Sequence, residues 1–262
     1  MTVVVYEHPL SPYAQKVKIA LDEKSIAYEP RMPAAIGTGQ PDLEFLKANP
    51  RGEVPALIDD GFAVFDSTII LEYIEDKWPT PPLLPQSAAA RSVARTIEEV
   101  MDTHFEPINW GMGEIRWFKR AEGERARTIE AHAAQQARGI YQWLSRHLGD
   151  RPWFNGENFG WADLSVVPYM NGALGSGFAP DRDSNLSQWL ERANGRPSVR
   201  KAAKAAADVI AQMANVAGAV QSGMFKREYR DHRLEWMIRS GGIDVVLEGM
   251  KNNNIRFSNE LS

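Results

Sequence analysis

Three β-branched residues in a row, Val3, Val4 and Val5, open the chain after Thr2 and are followed by Tyr6. Such a run suits a strand buried on both faces, and strands of that kind belong mostly to parallel or mixed sheets covered by helices. The period then changes within HPLSPYAQKV, residues 8–17. Ser11 is a favoured helix N-cap, and Pro12 suits the first helical position because its missing N–H needs no partner there. Val17, Ala20 and Leu21 then recur at helical spacing. A strand that passes directly into a helix predicts a layered α/β unit. Ser11 sits at the junction, where unpaired N–H groups and the helix dipole favour an anion. Its hydroxyl can cap the helix or donate to that anion, and this stretch alone leaves both readings open.

The same alternation continues. The first helix is expected over about 12–24, a second strand in SIAYEP (25–30) and a short helix in PDLEFLKANP (41–50). After GEVPALIDD and the turn DDG, Phe62, Val64 and Phe65 mark a strand, and Ile69, Ile70, Tyr73 and Ile74 one face of a helix. TPPLLPQ, residues 80–86, is a proline-rich break, beyond which Ala, Arg, Glu and Gln dominate. Helices are expected over 89–105, 124–148, 161–174, 185–194 and 197–221. The division predicted is an α/β domain at 1–79, a linker at 80–88, an all-helical domain at 89–221 and an extension at 222–262. The extension reads as a charged helix (226–239), a Gly-Gly break, a short apolar helix and a polar tail. It suits a lid, a dimer arm, a partner site or a solvated packing extension.

At 262 residues, with 44% apolar and 24% charged side chains, the chain can bury a large core. A net charge of −4 argues against a nucleic-acid surface, which needs a basic excess. No apolar run reaches membrane-spanning length, and the N-terminus lacks the pattern of a signal peptide, so no membrane partner and a cytoplasmic location are expected. The absence of cysteine excludes disulfides, thiolate metal sites and a cysteine nucleophile. The five histidines, at 8, 104, 132, 147 and 232, lack the short spacing of a metal site, and there is no phosphate-cradling glycine loop or G-x-S-x-G elbow.

Four stretches together resemble the soluble glutathione transferases: SPYAQKVKIAL (11–21), NPRGEVPAL (49–57), DSTIILEYIEDKWP (66–79) and NGENFGWADLSVVP (155–168). The resemblance covers roughly residues 3–200 and is closest to serine-type bacterial members, with some likeness to lignin β-etherases. It implies a thioredoxin-like domain followed by a helical one, with glutathione as cosubstrate and no metal. In that family the bond before the proline of VPAL is cis, so that Val54 and Pro55 would hold glutathione's cysteinyl backbone. Asp66 and Ser67, at the start of another helix, would receive its γ-glutamyl ammonium and carboxylate; the plainer reading is a capping pair, for which one of them suffices. Asp163 resembles the family's buried capping aspartate, although Gly160 stands where Ser or Thr is usual.

The resemblance also bears on Ser11, which occupies the place held by cysteine in the omega and glutaredoxin-like classes. Serine forms no mixed disulfide, so thiol–disulfide exchange is disfavoured and thiolate stabilisation favoured. Tyr6 is a rival donor, read here as strand-end core. His8 and Tyr13 fall near the expected thiol. His104, Trp110 and Trp117 lie in MDTHFEPINWGMGEIRWFKR (101–120), where an aromatic and thioether lining would suit an apolar electrophile, and helix-packing core is the plainer reading. Gly111 and Gly113 suggest a kink or loop there. Relatives of this kind are homodimers, and the expected activity is glutathione transfer to a hydrophobic electrophile. Alternatives are glutathione-dependent β-aryl ether cleavage and a non-catalytic adaptor role toward a protein partner.

Overall fold

The computed structural model describes residues 3–34, 42–213, 216–229 and 231–257. Its first part runs β1 (Val3–Tyr6), α1 (Pro12–Glu23), β2 (Tyr28–Arg31), α2 (Leu43–Ala48), β3 (Ala56–Asp59), β4 (Phe62–Phe65) and α3 (Ser67–Lys77). The sheet order is β2-β1-β3-β4, with β2 parallel to β1 and the other pairs antiparallel. The valines of β1 are buried as their sequence requires. Val3 and Val5 join the large core, whereas Tyr6 faces the opposite side with Phe45, Ala48 and Ala56, following the period of two. Asp60 and Gly61, both at positive φ, close the β3–β4 hairpin in two residues.

The proline-rich break is firmly held. Leu83 and Leu84 are buried, and their N–H groups donate to the Glu75 carboxylate. Lys24 Nζ donates to the carbonyls of Trp78 and Pro81 and pairs with Glu75 at 2.8 Å. Beyond it come α4 (Ala88–Val100), a π-helical turn (Met101–Phe105), α5 (Glu106–Arg116), α6 (Gly123–Leu148), α7 (Trp161–Gly175), α8 (Asn185–Asn194), α9 (Pro197–Ile210) and α10 (Val216–Gln221). The apolar α7 is the central post, touching α1, α4, α5, α8 and α9. Since α1 packs on α3 and also on α7 and α9, one core runs from β1 to Trp189. The expected architecture, thioredoxin-like α/β followed by helices, is the one observed.

Three local expectations need correction. Gly111 and Gly113 do not break the segment 101–120, because α5 passes straight through both. The irregularity is the π turn before it, next to Pro107, which cannot donate to the preceding turn. The single helix expected over 197–221 ends at Ile210: its last residues bury nothing, and among the described residues burial resumes at Val220 in α10. The charged helix expected over 226–239 begins instead as a strand. Here β5 (Arg227–Tyr229) pairs in parallel with β6 (Ile255–Phe257), and α11 (Asp231–Arg239) and α12 (Ile243–Lys251) lie between them. Both strands lie in the extension; the elements between Ala88 and Gln221 are helices, as expected.

Candidate active site

The junction between β1 and α1 places Ser11 as the N-cap of α1. Its Oγ accepts from the Ala14 N–H at 3.3 Å, a long cap bond, and its own N–H donates to the His8 carbonyl at 2.8 Å. The hydroxyl proton is not used by that cap. His8 is a turn-forming residue: its Nδ1 accepts from the Leu10 N–H at 3.2 Å, and burial together with the Lys18 charge holds its pKa below the usual histidine value. A neutral His8 with Nδ1 engaged suits structure better than proton transfer. Tyr6 packs on Phe45 with ring centroids 5.1 Å apart, in agreement with its reading as strand-end core.

A cavity of about 300 Å³ opens where the start of α3 meets the α2–β3 loop and the α4–π segment. The Val54–Pro55 peptide on its wall is cis. The loop leading to it is braced by Asn49, whose Nδ2 donates to the Glu53 carbonyl at 2.6 Å and whose Oδ1 accepts from the Arg51 N–H at 3.0 Å. Gly52, at φ 67, supplies the left-handed turn between them. Beside this wall, just past the end of the paired strand β4, Asp66 caps α3, its carboxylate accepting from the N–H groups of Thr68 and Ile69 at 3.0 and 3.4 Å. Capping is thus served by Asp66 alone. Ser67 lines the cavity, is only 5% exposed, and its hydroxyl has no partner among the described residues. A hydroxyl without a partner, facing a cavity at a helix N-terminus, suits an anion.

The floor holds a charge network that sequence reasoning missed. Lys16, fully buried, donates to Glu98 at 2.6 Å and to Asp102 at 2.5 Å. Glu98 also accepts from Thr68 Oγ1 at 3.0 Å and Trp161 Nε1 at 2.5 Å, while Asp102 accepts from the Tyr169 hydroxyl at 2.7 Å. Burial opposes the charge on Lys16, but the two carboxylates outweigh it and raise its pKa. Burial likewise drives Asp102 up, to about 6, against the pull of Lys16. The signal was present in the sequence: Tyr13, Lys16, Val17 and Ala20 share one helical face, and so do Ala94, Ile97, Glu98, Met101, Asp102 and Phe105. A lysine and two acids on apolar faces implied partners across a packed interface.

The other expected residues divide. Tyr13 lines the cavity, and its hydroxyl donates to the Asp102 carbonyl at 3.0 Å. Thr103 reaches the rim, and its Oγ1 lies 2.8 Å from Nδ1 of the exposed His104, which lies outside the lining, as do Ser11 and His8. Ser11 stands two residues before Tyr13 at the same helix start. Trp110 is elsewhere, beneath the guanidinium groups of Arg227 and Arg233 at 4.9 and 5.3 Å from its ring, so the C-terminal extension covers it. Trp117, at the end of α5, is 38% exposed and lies against Gly113. Neither tryptophan lines the cavity. Among the described residues no group of three His, Asp or Glu could hold a metal ion, and no helix is long and apolar enough to cross a membrane.

Asp163 plays the structural role expected. It accepts from the N–H groups of Phe154 and Gly160 at 2.9 and 3.0 Å and from Trp189 Nε1 at 2.7 Å. Gly160 is required, since a Cβ there would lie 1.8 Å from Asn155 Nδ2, which donates to the Leu83 carbonyl.

Residues 5–82 match the family described as the glutathione S-transferase N-terminal domain. A protein of Dianthus caryophyllus named Glutathione S-transferase 1 is 27% identical over 179 residues, covering 68% of this chain and 79% of its own. Among solved structures, a glutathione S-transferase from Rhodospirillum rubrum F11 is 29% identical with a TM-score of 0.65, covering 76% of this chain and 91% of that one. Rice GST1, solved in complex with glutathione, is 27% identical with a TM-score of 0.65, covering 81% of this chain and 96% of that one.

Proposed function

We propose, for a chain that belongs to the glutathione S-transferase family, that it binds glutathione in the cavity at the start of α3 and activates the thiol beside Ser11 for attack on an apolar electrophile. The observation that carries this reading is the Ser67 hydroxyl, without a partner among the described residues, lining one cavity with Asp66, Val54 and Pro55. The hydroxyl and N–H of Ser67, at the start of α3, receive the γ-glutamyl carboxylate, and the Asp66 and Glu99 carboxylates flank its ammonium. The backbone of Val54 pairs with the cysteinyl unit, which directs the thiol toward the start of α1.

There the Ser11 hydroxyl donates to sulfur and the N-terminus of α1 adds its dipole. A free thiol with a pKa of about 8.5 is only a few per cent ionised at neutral pH. Lowering it by one or two units, at about 1.4 kcal/mol per unit, makes most of the bound thiol a thiolate. The sulfur lone pair then forms the new bond to carbon, either by addition or with departure of a leaving group that takes the bonding electrons; cleavage of an aryl ether is one case of the latter. Tyr13, Phe65 and Thr103 are nearer the attacking sulfur than Trp110 or Trp117 and are better placed to meet an electrophile. A homodimer fits the family.

Calorimetric titration of glutathione in two buffers of different ionisation enthalpy tests the assignment, since it yields affinity and released protons together. Proton release near pH 7 that disappears in Ser11→Ala, with affinity changed less than threefold, is the expected result. Release unchanged in the variant refutes Ser11 as the activating residue. Absence of binding refutes the transferase reading and favours an adaptor.

A further inference from the structure

The charges lining the cavity are unbalanced. Among the described residues its one lining cation is Arg51, against the carboxylates of Glu53, Asp66, Glu99 and Asp102. Lys16 lies behind the wall and is divided between Asp102 and Glu98, so it offers nothing to a ligand. Asp66 and Glu99 suit the ammonium of an amino-acid head group whose carboxylate rests on the Ser67 hydroxyl. With that head at α3 and the peptide unit at Val54, the wall left among the described residues for the far end of the tripeptide is Asn49–Glu53. Arg51 is there, but its Nη2 is already 2.9 Å from Glu53 Oε2, and the Glu53 side chain is only 8% exposed. A carboxylate that reaches Arg51 meets a second carboxylate, buried and therefore poorly screened.

We infer that the Arg51–Glu53 pair cancels the attraction of this end of the cavity for a carboxylate, so that the site prefers a γ-glutamyl thiol whose glycyl carboxylate is masked, as in an amide, over glutathione itself. Glu53 is the residue that sets the preference. The inference rests on the γ-glutamyl reading of Ser67 and Asp66 given above. Glutathione still binds through its γ-glutamyl and cysteinyl parts, while its distal carboxylate gains little. The amide keeps those contacts and leaves the Arg51–Glu53 pair closed.

Calorimetry on the full chain at pH 7, with reduced glutathione and glutathione amide as the two probes, tests this directly. The native protein is expected to bind the amide about tenfold more tightly than glutathione, equivalent to about 1.4 kcal/mol. In Glu53→Gln, which leaves Arg51 unopposed, glutathione should tighten about tenfold and the gap should close or reverse. Arg51→Gln gives a second readout that does not depend on the folding of the first variant: the cation at this end is lost while the Glu53 charge stays, so glutathione weakens at least tenfold and the amide changes less than threefold. Equal affinities for the two probes in the native protein, or a gap that survives Glu53→Gln, overturns the inference. Ser67→Ala separates it from the reading beneath: weakening of both probes together supports the γ-glutamyl site. No binding of either probe to the native chain removes that site and the inference with it.

Discussion

Lys16→Met isolates the energetics of the cavity floor. At an effective dielectric of about 20, each contact of Lys16 Nζ with Glu98 and Asp102, at 2.6 and 2.5 Å, is worth about 6 kcal/mol of gross attraction. Stripping water from each ion costs several kcal/mol, so the intact triad comes close to break-even. Removing the cation takes away the attraction and leaves the desolvation of two carboxylates, a net loss of about 3–5 kcal/mol, or roughly 10 °C in melting temperature for a chain of this size. The pH dependence carries a definite sign. Asp102 is raised to about 6 in the folded protein, above its unfolded value of about 3.9. A group shifted this way contributes stability that is present below about pH 4 and is lost as pH rises through its folded pKa. Without Lys16 the folded pKa rises further, so the loss is largest at pH 8 and shrinks by at least half at pH 5. Urea unfolding followed by tryptophan fluorescence at the two pH values measures both. A loss under 1 kcal/mol at pH 8, or one independent of pH, refutes the account. The triple variant Lys16→Met, Glu98→Gln, Asp102→Asn should regain most of the loss, because no uncompensated charge remains buried.

Ser67→Ala removes a hydroxyl that no described residue uses, and is expected to weaken glutathione binding by about tenfold or more while moving the melting temperature by less than about 2 °C. Gly160→Ser restores the residue usual in the family, yet should destabilise by about 1–3 kcal/mol in urea titration, because the added Cβ meets Asn155 Nδ2 and the Leu83 carbonyl. Gly111→Val should loosen the C-terminal extension, since a Cβ at Gly111 would lie 2.4 Å from the Trp236 ring; trypsin cleavage within 222–257 should accelerate by about fivefold or more.

The α/β part was legible because each element announces itself locally: a β-branched run, a Ser-Pro helix start, an Asp-Gly hairpin and a second helix capped by Asp66. The helical part was legible as helices, but their ends were set by packing that lies far away in sequence. Gly111 read as a breaker because its neighbours suggested no reason for it; the reason is Trp236, 125 positions later. Arg227–Tyr229 read as helix because strand pairing with Ile255–Phe257 is a non-local fact that helical propensity cannot supply. Trp110 was grouped with the electrophile pocket on composition, and only the docking of Arg227 and Arg233 on its ring shows that the extension covers it. The Lys16 network was legible in principle, from charged residues at apolar spacing, but its pairing joins α1 to α4 and α7 and needed the fold.

Helix α1 ties these observations together. Its first turn, capped by Ser11, carries Tyr13 at the cavity, its middle carries Lys16 into the helical part, and its last turn is clamped twice. Glu23 accepts from Nε of Arg196, the N-cap of α9, at 2.9 Å and Asp22 from Lys201 on α9 at 2.7 Å, while Lys24 holds the carbonyls of the proline-rich break. The α/β wall and the helical wall of the cavity are therefore positioned by one rigid element rather than by the linker between them. The role proposed for Ser11 requires hydrogen-bond geometry good to a few tenths of an ångström, and a 12-residue helix fixed along its length supplies that where a proline-rich connection alone would not. The buried charges of Lys16 are expensive by themselves; their position, one turn from Tyr13 and between the two walls, is where a triad that tolerates a single geometry serves orientation best.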